Sequence, residues 1–164
     1  MEATTINSRI HSLIALYDIH TKYFENVIEG ISDKDAHNRL NTKANHIAWL
    51  AGSLVFQRYE LAKGLGTELK PGAYELFKDF KGIQDNVTYP CLAEFKKDWE
   101  TITPVLRNLL LNVSDGKLDS QFEMPEMNMS YFELITYSTH REAYCIGQIG
   151  LWRRLLGYPA MKYN

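Results

Sequence analysis

The sequence has few of the features that mark secreted, membrane-spanning or nucleic-acid-binding proteins. It contains only two cysteines, Cys91 and Cys145, among 164 residues, too few for the disulfide framework of a small secreted domain. No apolar run reaches the roughly 20 residues of a membrane-spanning helix, and the first residues lack the pattern of a secretory signal. We therefore expect a cytoplasmic protein without a membrane partner, in which both thiols are reduced and buried.

The excess of either charge is also small. Lys and Arg total 18 against 20 Asp and Glu, which gives a net charge of −2 at pH 7. Proteins that bind nucleic acid carry a basic patch or stripe, and this balance indicates none. The sequence has no internal repeats, low-complexity tracts or linkers, and its length suits one packed core. We predict a single domain over residues 1–164 and no nucleic-acid partner.

Apolar residues recur at helical spacing in four long segments, which predicts an all-α four-helix bundle. Ser130 and Glu133 form a capping-box pattern at the start of the fourth segment, and Gly157 followed by Pro159 is a stop signal. The four predicted helices cover about Thr5–Gly30, Lys43–Lys63, Cys91–Val113, and Tyr131 to about Gly157.

The segments between these helices differ in length. Residues Thr67–Tyr89 contain several helix breakers and predict a long crossover between helices two and three, with a short helix possible at Ala73–Lys81. Residues Lys117–Asn128 read as a loop. Pro104 falls inside the third predicted helix, where proline removes a backbone donor, so we expect a kink or local break there.

Helices two and four carry polar residues on the faces that should point into the bundle. In helix four, Arg141 and Cys145 lie on that face, whereas His140 points away from it. His20 in helix one is expected to be a partly buried helix residue, since no second histidine or carboxylate is placed to join it. The inward face of helix two is unusually polar for a core, and consists of His46, Trp49, Ser53, Gln57 and Glu60.

Two stretches on these helices, Asn45–Leu54 (NHIAWLAGSL) and Glu142–Gln148 (EAYCIGQ), resemble the DinB/YfiT-like superfamily of metal-binding four-helix bundles. The resemblance implies a divalent metal such as zinc or nickel, held by three histidines. Aligned on these motifs, the three histidine positions are Ser53, Arg141 and Cys145 here. The resemblance also implies a homodimer, for which Tyr137 and Tyr144, with Tyr131, supply an aromatic flank on helix four.

The replaced residues make poor metal ligands. A serine hydroxyl binds transition metals weakly, and an arginine cannot be deprotonated to act as a ligand. We therefore predict a degenerate, metal-free centre with no cofactor, in which Arg141 replaces the metal as the local positive charge. We expect Glu60 or Glu142 to hold that charge, which either seals the former site or binds a small anionic molecule.

Two alternatives stay open, and no catalytic residue is assigned. One is a metal-dependent hydrolase or thiol-dependent transferase with a site rebuilt around His46, in which Cys145 would need a nearby cation to lower its pKa. The other is a non-catalytic dimerisation or scaffold module. The candidate ligand-binding residues are Arg141, Cys145, Ser53, His46, Gln57 and Glu60.

Overall fold

The computed structural model describes residues 7–124 and 127–164. Within these ranges the chain is mostly α-helical, as predicted, with one small β-hairpin. None of the helices in these ranges is both long and apolar enough to cross a membrane. In chain order the elements are α1 (His11–Ile28), α2 (Asp33–Ala36), α3 (Ile47–Gly64), α4 (Tyr74–Phe77), α5 (Leu92–Leu111), α6 (Asp115–Asp119), β1 (Gln121–Met124), β2 (Met127–Ser130) and α7 (Tyr131–Leu155).

The four long helices pack on one another around a hydrophobic core. Helix α1 packs against α5 and α7, and α3 packs against the same two helices. At the centre, the rings of Phe24 and Trp99 stack with their centroids 4.0 Å apart. Because α3 is covered on several sides, 13 of its 18 residues are buried, and its core face cannot be read from a simple apolar stripe.

Side-chain caps set the starts of three long helices. The predicted capping box of α7 is confirmed, since Ser130 and Glu133 each accept a hydrogen bond from the other's backbone N–H. Helix α3 begins four residues later than predicted, because His46 Nδ1 accepts a hydrogen bond from Trp49 N at 3.0 Å. Helix α5 begins at Leu92, where the Glu94 carboxylate accepts a hydrogen bond from the backbone N–H of the N-cap residue Cys91 at 3.3 Å.

Two other predictions on the helices need correction. Helix α1 begins at His11, and Thr5, its predicted start, lies outside the described residues. Of the kink or local break predicted at Pro104, the break does not occur, because α5 continues through the proline. Pro104 deprives the Glu100 carbonyl of its N–H partner, but Glu100 is exposed, so water can take that place.

The predicted loop over Lys117–Asn128 is wrong. Helix α6 occupies its start, and strands β1 and β2 pair antiparallel with Phe122 opposite Met129. Each strand alternates polar and apolar residues, β1 as QFEM and β2 as MNMS, but four residues is the minimum length over which alternation indicates a strand. The hairpin matters for the site, because it carries Phe122 and Met124 to the outer side of α3 and α7.

The segment between α3 and α5, for which a long crossover is predicted and which we call the crossover, contains α4 followed by a 3-10 turn at Lys78–Phe80. Asp79 and Phe80 have φ angles of 58° and 55°, in the left-handed region that non-glycine residues rarely adopt. This backbone directs Phe77 into the core and leaves Phe80 at the surface. Phe77 packs against Gly52 of α3, where any Cβ would collide with its ring.

Candidate functional site

Helices α3 and α7 run antiparallel and bring the candidate residues together. Gln57 Nε2 donates to the Ser138 carbonyl at 3.0 Å, and Trp152 Nε1 donates to the Asn45 carbonyl at 2.9 Å. Residue numbers therefore fall along α3 as they rise along α7. This pairing places Arg141 opposite the middle of α3, as the polar faces of the two helices predict.

Arg141 is anchored on α3 by neutral groups. Its Nη1 donates to Gln57 Oε1 at 3.0 Å and to the Ser53 carbonyl at 3.5 Å, and its Nη2 donates to Ser53 Oγ at 3.2 Å. Ser53 Oγ in turn donates to the Leu50 carbonyl at 2.9 Å. Ser53 and Gln57 are thus held by the helices themselves, and they fix the guanidinium in one orientation.

The prediction that a carboxylate holds Arg141 is wrong. Within residues 7–124 and 127–164, neither Glu60 nor Glu142 lies within ion-pair distance of its guanidinium. Glu142 follows Arg141 directly, so its side chain points about 100° away around the helix and meets Arg58 instead. The charge of Arg141 therefore has no counter-ion in the described part of the chain.

A cavity of about 320 Å³ opens beside Arg141. Ser53, Gln57 and Arg141 form part of its wall, and Glu60 and Lys81 also line it. The rest of the wall is mainly apolar and draws on the crossover and the hairpin as well as on α3 and α7. Six aromatic side chains dominate it, namely Trp49, Phe56, Phe77, Phe80, Phe122 and Tyr137.

A second cavity, of about 330 Å³, lies on the other side of Arg141. It shares Trp49, Tyr137 and Arg141 with the first cavity, so the arginine stands at the junction of the two. Cys145 and His140 line this second cavity. The described structure thus gathers Ser53, Gln57, Glu60 and Arg141 around one cavity and places Cys145 in the next.

Cys145 is not activated by its surroundings. Burial raises the pKa of its thiol and the charge of Glu142 raises it further, against the opposing effect of Arg141. A thiol whose pKa is raised stays protonated at neutral pH, and the protonated form is a weak nucleophile. The environment therefore argues against the thiol-dependent alternative.

His46 lies apart from the Arg141 group and lines neither of the two cavities. Its Nδ1 is occupied in capping α3, and its ring packs against those of His37 and Tyr89. Burial, together with the charges of His37 and Arg39, lowers its pKa to about 4. His46 therefore acts as a neutral helix cap.

The residues at the three family ligand positions do not fit a divalent metal. The Arg141 guanidinium lies against Ser53 and brings a fixed positive charge, which repels a cation. Cys145, the third position, would have to lose a proton that its environment retains. Elsewhere in the described ranges, no three His, Cys, Asp or Glu side chains converge in a way that could hold a metal ion.

A buried charged cluster was missed by the sequence analysis. Arg58 is 1% exposed and forms a two-pronged ion pair with Glu142, with Nε 2.6 Å from Oε1 and Nη2 3.0 Å from Oε2. Its guanidinium carbon lies 3.5 Å from the centroid of the Trp99 ring and 3.9 Å from that of Tyr17. This cluster ties α1, α3, α5 and α7 together at the centre of the core.

His20 belongs to the same cluster, which corrects the expectation that no carboxylate is placed to join it. Its Nδ1 lies 3.4 Å from Glu142 Oε2, although it makes no hydrogen bond within the described residues. One signal for the cluster was present in the sequence. Arg58 lies in a helix that is apolar on several sides, where an arginine must find a buried carboxylate.

The chain matches no protein-family model, and no curated protein matches it. Its resemblance to the DinB-like proteins therefore stays a prediction. Function has to be argued from the cavity and from the residues around Arg141.

Proposed function

We propose that this protein binds a small apolar carboxylate in the cavity beside Arg141, with the carboxylate of the ligand on the guanidinium. The observation that carries the proposal is that Arg141 has no counter-ion among the residues that the structure describes. Its partners in the described residues, Ser53 and Gln57, are neutral. A half-buried cation without an opposite charge is costly, and a bound anion offsets that cost.

The hydrogen-bond inventory of Arg141 favours a carboxylate. A guanidinium has five N–H donors, and the bonds to Ser53 and Gln57 engage two on Nη1 and one on Nη2. Among the described residues, the Nε–H and one Nη2–H have no partner, and together they form the edge that takes a carboxylate through two parallel hydrogen bonds. Arg58 uses this same edge to hold Glu142.

The walls of the cavity define the rest of the ligand. A volume of about 320 Å³ lies at the lower end of the range for small-molecule sites, roughly 300–1,000 Å³. Aromatic side chains such as Phe56, Phe77 and Phe122 form much of the wall, and they pack well against a ring or a short alkyl chain. We therefore take a monocarboxylate with one apolar group as the ligand class.

We further propose that the fold is a DinB-like four-helix bundle in which Arg141 stands at the metal position. What supports this is the order of the four long helices, the long segment before α5, and the contact of Ser53, in the first resembling stretch, with Arg141, the residue directly before the second. In this account the positive charge stays at the site but no longer belongs to a metal. The cytoplasmic location also stays a prediction.

Isothermal titration calorimetry with 3-phenylpropionate tests the proposed function. The unaltered protein should bind this probe, and Arg141→Met should weaken binding by about tenfold or more, because a hydrogen-bonded charge is lost. Arg154→Met is the matched control, since Arg154 is an exposed arginine on the same helix and lines neither cavity. Absence of binding to the unaltered protein, or equal binding by the Arg141 variant, would contradict the proposal.

A further inference from the structure

We infer that the ligand is a zwitterion, an α-amino acid with a large apolar side chain, and that Glu60 holds its ammonium group. This inference rests on the proposed binding of a carboxylate by Arg141 and adds a second charge to the ligand. It comes from a residue of the same cavity that the proposed function leaves unused.

Glu60 lines the cavity with an unpaired charge. It is half-buried, and no described residue forms an ion pair with it. The two cations that line this cavity, Lys81 and Arg141, are hydrogen-bonded to groups other than Glu60. Lys81 Nζ donates to the Glu75 carbonyl at 3.3 Å, and Arg141 is held by Ser53 and Gln57.

The spacing along α3 suits a compact zwitterion. Glu60 follows Gln57 by three residues, so it lies on the same face of the helix and about 4.5 Å further along its axis. Gln57 in turn contacts the Arg141 guanidinium at 3.0 Å. Because the guanidinium bonds both Ser53 and Gln57, it lies about one to two helical turns from Glu60 along α3, a separation that the two charged groups of an α-amino acid can bridge with their hydrogen bonds.

The charge of Glu60 disfavours a simple carboxylate. A second negative charge brought into a cavity with mainly apolar walls is repelled by Glu60, since the wall screens charges less than water does. An ammonium group next to the ligand carboxylate turns this repulsion into attraction, and it leaves both Glu60 and Arg141 paired. The same aromatic wall that accepts a phenyl ring then receives the side chain of the amino acid.

Calorimetry with three probes of one shape tests the inference: L-phenylalanine, 3-phenylpropionate without the ammonium group, and phenethylamine without the carboxylate. L-phenylalanine should bind the unaltered protein about fivefold more tightly than 3-phenylpropionate, the size expected of a partly exposed ion pair. Glu60→Gln should abolish this preference without weakening 3-phenylpropionate. Glu68→Gln is the control, because Glu68 is exposed and lines neither cavity.

The outcomes separate this inference from the proposed function. If L-phenylalanine and 3-phenylpropionate bind equally, and Glu60→Gln changes neither, the zwitterion is excluded while the carboxylate site stands. If no probe binds, both are overturned. If phenethylamine binds as tightly as L-phenylalanine, the ligand carboxylate contributes nothing and the role of Arg141 is contradicted.

Discussion

Arg58 and Arg141 each form hydrogen bonds across the contact between α3 and α7, but their electrostatic surroundings are opposite. Arg58 is fully buried and is paired with Glu142, whereas Arg141 is half-buried and bonded only to neutral groups among the described residues. In the first arrangement, the charges of Arg58 and Glu142 neutralise each other inside the core. The second leaves a charge without a counter-ion next to open space. We therefore infer that Arg58 has a structural role, and we propose that Arg141 binds the ligand.

The buried pair leads to a prediction about stability and pH. Burial by itself would raise the pKa of Glu142, but the charge and hydrogen bonds of Arg58, with the His20 ring close by, hold it below its ordinary value of 4.5. Glu142→Gln should lower the free energy of unfolding by about 3–5 kcal/mol at pH 7, because it leaves Arg58 buried and unpaired. Urea denaturation followed by circular dichroism measures this loss.

The sign of the pH dependence follows from the lowered pKa. The carboxylate contributes its full stability above about pH 4.5 and loses it as the pH falls through the lower value of the folded state. The difference in free energy of unfolding between Glu142→Gln and the unaltered protein should therefore become smaller in acid.

The double variant Arg58→Met with Glu142→Leu removes both charges, so it should lower the free energy of unfolding by less than the single variant does. A single-variant loss under about 1 kcal/mol would contradict the assignment.

At the scale of elements, two glycines in the long helices have opposite surroundings. A Cβ on Gly52 of α3 would lie 2.6 Å from Phe95 Cζ and still closer to the ring of Phe77, whereas Gly147 of α7 has nothing within 4 Å of that position. Gly52 thus allows the crossover and α5 to approach α3 closely. Gly147 has no packing role among the described residues.

Alanine at the two positions should shift stability in opposite directions. Gly52→Ala should lower the free energy of unfolding by about 1–3 kcal/mol, because the core has to move to admit a methyl group. Gly147→Ala should raise it by about 0.5–1 kcal/mol, since alanine is the better helix former. Thermal unfolding of both variants measures this, and a Gly52→Ala protein as stable as Gly147→Ala would show that the close approach is wrong.

The helices were largely predictable because their signals are local. The capping box of Ser130 and the periodic apolar residues place α7 closely, whereas the cap made by His46 was not recognised and α3 was started too early. The β-hairpin was missed because its strands alternate over only four residues each, and the Met and Pro content of the segment was interpreted as a loop. The hairpin is stabilised by the pairing of β1 with β2 and by the edge-on contact of Phe122 with Tyr131, whose ring centroids are 5.6 Å apart.

At the scale of the whole molecule, an apolar stripe on α7 is left uncovered. Tyr137, Tyr144, Leu151 and Leu155 are each more than half exposed, and the first three are spaced by seven residues, so they share one face of the helix. Contiguous exposed apolar residues mark interaction surfaces. We propose that a second copy of this chain covers the stripe in a homodimer.

Sedimentation equilibrium tests the dimer. Leu151→Glu should convert a dimer into a monomer, because it places a charge in the middle of the apolar contact. Ile19→Glu is the control, since Ile19 is an exposed apolar residue of α1 outside the stripe. A monomeric unaltered protein, or equal effects of both variants, would refute this interface.

The site was predictable only in its outline. The polar faces of α3 and α7 place Ser53, Gln57 and Arg141 together, because their spacing and the antiparallel packing suffice for that. The partner of each carboxylate depends on the direction of its side chain, which turns by about 100° from one helix residue to the next. Glu142 was therefore predicted to pair with Arg141, whereas it pairs with Arg58. The cavity depends on Phe80, which lies on the 3-10 turn of the crossover, and on Phe122, which lies on the missed strand β1 far away in the chain.

The central proposal is that the negative charge of the ligand strengthens its binding beside Arg141, and one pair of titrations measures that contribution. We would compare 3-phenylpropionate with its neutral amide, 3-phenylpropionamide, by calorimetry on the unaltered protein and on Arg141→Met. The account predicts that the acid binds about tenfold or more tightly than the amide, and that the difference disappears in the variant. Equal binding of acid and amide to the unaltered protein would contradict it.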